Sequence, residues 1–135
     1  MTARVVSKEF PPVAASARAA RQLMTHELAS TEVDRPELLE LFVSELVTNA
    51  IIHAGTTFRV AAEIGAEVVR ISISDQNPEM PMVKSPRPGS VDGRGLKMVS
   101  ELAQAWGVDA SARGKTVWFE LARKRRASES NVGGS

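Results

Sequence analysis

The chain has 135 residues, 43% of them hydrophobic and 24% charged, a size and balance that suit one soluble domain with its own core. It has no cysteine and two histidines, which excludes a disulfide framework, a thiolate nucleophile and the usual structural zinc sites. The net charge of +1 hides a split: four of the 17 basic residues are Arg123, Lys124, Arg125 and Arg126, and residues 1–122 carry 13 basic against 15 acidic groups, which argues against nucleic-acid binding.

No apolar run reaches membrane length and no signal-peptide pattern opens the chain, so a cytoplasmic protein with no membrane contact is expected. Taken in order, Arg4 to Phe10 reads as a short strand, and Pro11-Pro12 ends it. Residues 13–29, rich in Ala, Arg, Gln and Leu, form a first helix. Asp34-Arg-Pro-Glu37 resembles a capping box with proline in the first turn. The helix after it runs to about Ala54, and Gly55 stops it. Its many apolar residues, from Leu38 to Ile52, mark it as largely buried.

The period then changes to two. Phe58, Val60, Ala62 and Ile64 lead through Gly65-Ala66 to Val69, Ile71 and Ile73, an antiparallel hairpin with one apolar face. Residues 75–92 lose periodicity and hold Pro78, Pro81, Pro86 and Pro88; a loop of this length inside a small domain usually serves function. Helical spacing returns over 94–106, closed by Gly107, and a second hairpin follows, Val108–Arg113 with Lys115–Ala122 around Gly114. Residues 127–135 cannot build a core and are expected to be disordered, with the basic cluster as the start of a solvated tail. The order of elements predicts a two-layer α/β sandwich, with helices packed on one face of a mixed, mainly antiparallel sheet.

Three features could carry chemistry. Glu45, Asn49 and His53 are spaced by four and share one helix face, with about 6 Å between neighbours. An Asn oxygen can ligate Mg²⁺ beside phosphates, and a Glu one turn earlier can orient or deprotonate a hydroxyl. Contact with solvent or a neighbouring loop explains the same spacing, and on the helix alone it is the plainer account. Asp75 ends an apolar strand, where a carboxylate can accept from an exocyclic amino group or start a turn with Asn77-Pro78. Gly93-Arg94-Gly95-Leu96 precedes a helix, so its backbone can approach an anion, or the glycines can only relieve strain.

Other patterns fail on spacing. Gly114-Lys115-Thr116 ends like a phosphate loop, but Asp109 stands where its first glycine belongs and a strand follows. His26-Glu27 lacks a second histidine, since residue 30 is serine.

In sequence order the three features form a set. Glu45-Leu-Val-Thr-Asn49-Ala-Ile-Ile-His53 looks like the N box of the GHKL (Bergerat-fold) ATPases, Ile71-Ser-Ile-Ser-Asp75 resembles their G1 box, and Gly93-Arg-Gly95-Leu96 their G2 box. Lys115-Thr-Val-Trp-Phe-Glu-Leu121 resembles the closing strand, and the ending and small size are most similar to the short actinobacterial anti-sigma factor serine kinases. The resemblance implies a histidine-kinase-like ATPase domain over residues 1–126 that binds ATP and Mg²⁺. Asn49 would hold Mg²⁺, Glu45 would be the general base, and Asp75 would accept from the adenine amino group. Gly93, Arg94, Gly95 and Leu96 would line the phosphates, and the loop 76–92 would be the ATP lid. Thr116 would sit near adenine, unless the strand register puts Lys115 there. His53 would support the lid or phosphate side.

The implied activity is Mg-ATP-dependent phosphorylation of a serine on a STAS-domain anti-anti-sigma protein, with a sigma factor as the alternate partner. A homodimer through Val5, Val6 and the first helix is also implied as an option. One departure stands out: the G1 box usually continues Asp-x-Gly-x-Gly, and here it reads Asp75-Gln-Asn77-Pro-Glu. That motivates a second reading, an ATP-binding module with little or no kinase activity that works by capturing partners. A sensor-kinase fragment is a poor fit, because no dimerisation helix with a phospho-acceptor histidine precedes the domain; His26 is the sole candidate.

Overall fold

The computed structural model describes residues 2–79 and 94–124. Strand β1 (Thr2–Phe10) is followed by helices α1 (Ala14–Glu27) and α2 (Pro36–Asn49), then a hairpin of β2 (Phe58–Gly65) and β3 (Val68–Asp75). Helix α3 (Arg94–Leu102) leads into a second hairpin, β4 (Ala105–Ser111) and β5 (Gly114–Ala122). The five strands form one sheet in the order β1-β2-β3-β5-β4, and every pairing in it is antiparallel.

Alternation decides which face is covered. Phe58, Val60, Ala62 and Ile64 of β2, Val69, Ile71 and Ile73 of β3, and Val117, Phe119 and Leu121 of β5 are all buried on the same face. The helices lie on that face. Their contribution comes from Ala20 and Met24 of α1, Phe42, Val43, Leu46 and Val47 of α2, and Leu96 and Val99 of α3, in one continuous core. Phe42 meets Phe119 edge to face at 5.1 Å, and Phe10 stacks on Phe58 at 5.7 Å across the β1–β2 pair. Full burial of such a ring stabilises the fold by about 1.5–3 kcal/mol. The expected two-layer α/β sandwich is the observed fold.

Several local expectations need correction. No capping box forms at α2. The N-cap is Arg35, without a side-chain cap bond, and Pro36 takes the first helical position. Glu37 turns instead to Arg35, whose Nε donates to its carboxylate at 3.0 Å. The Glu37 carboxyl is held below its ordinary value, first by backbone hydrogen bonding and then by Arg35. The third helix stops at Leu102, short of Trp106, and Trp106 and Gly107 belong to β4. Gly107 pairs with Trp118, and a Cβ there would stand 2.6 Å from the indole. The glycine gives room to a ring on the sheet's outer face, where Arg70 stacks on it at 3.9 Å. Gly107→Ala is therefore expected to push the indole aside and cost about 1–3 kcal/mol, the range for overpacking. A chemical denaturation curve measures this, and an unchanged midpoint would contradict it.

Most of the irregular stretch after Asp75, together with Gly93 and the tail from residue 125, lies outside the described residues. No described helix is long and apolar enough to cross a membrane.

Candidate nucleotide site

The apolar pattern of α2 turns one side of the helix into the core and leaves Glu45 and Asn49 half-buried on another. Neither side chain has a hydrogen-bond partner among the described residues. The α-helix ends at Asn49 and continues as a π-helical turn, Ala50–Ala54. Gly55 closes that turn with a left-handed φ of 65°, and its N–H donates to Ala50 O at 3.1 Å. A wide turn of this kind marks functional positions more often than regular helix does. It also breaks the even spacing of four: His53 is exposed and sits within the widened turn, out of α-helical phase with Asn49.

Asp75 ends β3 with its carboxylate on the core side, 9% exposed as a residue. The chain then makes an Asx turn, in which Asn77 N–H donates to Asp75 Oδ1 at 2.9 Å. That turn is fastened to the segment that follows α2. Gln76 N–H donates to Thr56 Oγ1 at 3.0 Å, and Asn77 Nδ2 reaches His53 O at 3.5 Å. The end of the α2 segment and the end of β3, which are distant in sequence, are thereby held together.

The register puts Lys115, and not Thr116, beside Asp75. Asp75 pairs with Lys115, and Ser74 with Thr116. Side chains of paired residues share a face, so Thr116 points away from Asp75, and its hydroxyl bonds Ser74 Oγ at 2.8 Å. Lys115 instead lies beside the carboxylate. Its Nζ is 3.1 Å from Asp75 Oδ1 and Oδ2 and 3.0 Å from Asn77 O, and the two side chains are 8% and 3% exposed. The ammonium donates to Asp75 Oδ1 and Asn77 O, and its ion-pair contact with Oδ2 leaves the third donor without an acceptor of its own among the described residues. Sequence reasoning raised Lys115 only as an alternative register, and no local signal announces the ion pair. Gly114 permits it: a Cβ there would lie 2.1 Å from Asp75 O, so only glycine lets the start of β5 come this close.

The third feature is divided. Arg94 and Gly95 begin α3, where the first turn leaves backbone N–H groups unpaired within the helix. Leu96 is 1% exposed and its side chain belongs to the core, so only its backbone N–H could face an anion. No group of three or more His, Asp or Glu residues able to hold a metal ion occurs among the described residues. A metal here would take few protein ligands and rely on phosphate oxygens, the habit of Mg²⁺.

Comparison with curated proteins returned no match. A family model does match: the histidine kinase-like ATPase domain, over residues 10–121. That span runs from the last residue of β1 nearly to the end of β5 and takes in every candidate residue above. ATP binding is what such a domain implies. The chain belongs to the histidine kinase-like ATPase domain family, the GHKL type.

Proposed function

We propose that the protein binds Mg-ATP where the α2 segment meets the end of β3, and uses it to phosphorylate a serine on a STAS-domain anti-anti-sigma protein. The observation that carries this reading is the tie between Asn77 and His53, which brings Asp75 next to the helix bearing Glu45 and Asn49. The residues present fit an adenine nucleotide. Among the described residues Asp75 Oδ2 meets only the Lys115 ammonium, and a carboxylate oxygen has two lone-pair directions, so it can still accept from an amino group. Asn49 would supply a neutral oxygen to Mg²⁺, and the ion would neutralise charge on the phosphates. The first turn of α3 would offer backbone N–H groups and a favourable dipole to the same phosphates.

Glu45 would take the proton from the serine hydroxyl as its oxygen attacks the γ-phosphorus. The new O–P bond forms as the bond to the β-phosphate oxygen breaks, and ADP leaves. A sigma factor would be the alternate partner, bound in the state that does not phosphorylate. Val5, 60% exposed on the edge strand β1, is available to a second copy of the chain or to a partner.

A second reading keeps the nucleotide and drops the transfer. The closed Asx turn at Asp75-Gln-Asn77, in place of glycines, favours it, because a fastened turn resists rearrangement on binding. Incubating the protein with labelled ATP and a STAS-domain protein separates the two. Label on a serine supports the kinase; binding of both ATP and partner without transfer supports the capture module.

A further inference from the structure

The buried pair of Lys115 and Asp75 presents a donor and an acceptor side by side. We propose that Lys115 is a base-reading residue which widens the site from adenine to 6-oxopurine nucleotides, so that GTP binds as well as ATP. The inference rests on the nucleotide reading given above.

A carboxylate alone accepts only. It suits the adenine 6-amino group, a donor, and repels the O6 of guanine, an acceptor. Lys115 changes that. Its ammonium holds Asp75 Oδ1, Asp75 Oδ2 and Asn77 O, all at 3.0–3.1 Å. A base edge can enter at Oδ2, where the ammonium makes an ion-pair contact but no hydrogen bond of its own. With adenine, the 6-amino group donates to Oδ2, and the third ammonium donor turns to N1. With guanine or hypoxanthine, N1–H donates to Oδ2, and the ammonium donates to O6. In each case the ammonium keeps Oδ1 and Asn77 O, its third donor meets the base, and no buried charge is left unpaired. Both side chains are almost fully enclosed, so the exchange takes place where an unmatched polar group is heavily penalised.

The surroundings keep the ammonium in place for this. Gly114 lets β5 approach the backbone of Asp75, and the Asn77 carbonyl is positioned by the Asx turn. Thr116 is on the other face of the sheet, bonded to Ser74, and cannot take the role.

Calorimetry on the full chain, with Mg-ATP, Mg-GTP and Mg-ITP titrated separately, tests the proposal. Wild type is expected to bind ATP and GTP with affinities within about 10-fold of each other. ITP, which keeps O6 and N1–H and lacks the 2-amino group, is expected to follow GTP. Lys115→Met should shift the preference toward ATP by at least about 10-fold, the worth of one charge-assisted hydrogen bond. Circular dichroism establishes that the variant is folded, and the wild-type ratios stand without it. A wild type that binds ATP and rejects GTP by about 100-fold or more overturns the proposal and leaves the ATP site intact. So does GTP binding without ITP binding, or a ratio that Lys115→Met does not change. Failure of all three nucleotides to bind wild type removes the nucleotide reading itself, and this proposal with it.

Discussion

Glu45→Gln should lower phosphotransfer to a STAS-domain partner by about 10²–10⁴-fold, the usual contribution of a general base. The substitution keeps size and shape, so the fold should be untouched: Glu45 is half-buried and has no hydrogen-bond partner among the described residues. Affinity for Mg-ATP should stay close to wild type, because the carboxylate acts on the acceptor hydroxyl and not on the nucleotide. Single-turnover transfer of labelled phosphate, measured beside binding, isolates the effect. A variant that transfers at the wild-type rate would remove Glu45 from the chemistry. A variant that loses nucleotide affinity and rate together would assign Glu45 to binding instead.

The second large effect concerns stability. Asp75→Ala leaves the ammonium of Lys115 buried with one acceptor, Asn77 O, and without its carboxylate partner. Removing one partner of a buried ion pair costs about 3–5 kcal/mol, because the remaining charge has lost its compensation. The same change frees the Asn77 N–H from its turn and loosens the tie to His53. Combining Asp75→Leu with Lys115→Met should recover most of the loss, since replacing a whole buried pair by apolar groups of similar volume is often neutral. Denaturant melts of Asp75→Leu, Lys115→Met and the double variant give the coupling directly. Additive losses would mean that the pair contributes nothing as a pair.

Much of this arrangement was legible in the residues. The buried α2 helix, the Phe58–Asp75 hairpin and the inward set Val117, Phe119 and Leu121 are local patterns of period 3.6 or 2, and local patterns survive folding. Glu45 and Asn49 share a face because helix geometry alone puts them there. The errors arise where tertiary contact overrides a local signal. Val99, Leu102, Ala103 and Trp106 keep helical spacing, yet Trp106 also alternates with Val108, and pairing with Phe119 of β5 wins. Gly107 looked like a helix stop because glycine often is one; its reason is the indole of Trp118, eleven residues away. Asp34 and Glu37 had capping-box spacing, but Pro36 fixes the first turn and Arg35 takes Glu37. The π-helical turn left no trace in the composition of Ala50–Ala54. The Lys115–Asp75 pair depends on a register between strands 40 residues apart, which a one-residue slip would reverse.

The proposed function makes Asn49 the metal ligand, and one measurement reaches it directly. Isothermal calorimetry of the full chain with ATP, in Mg²⁺ and then in EDTA, should show saturable binding that depends on the metal. Asn49→Ala should weaken it by at least about 10–100-fold, the loss that even outer-sphere changes at a metal site produce. The far-ultraviolet spectrum should be unchanged, because Asn49 is half-buried and outside the core cluster. Binding by wild type that is indifferent to Mg²⁺, or equal binding by Asn49→Ala, would contradict the assignment of Asn49 as the metal ligand of an ATP site.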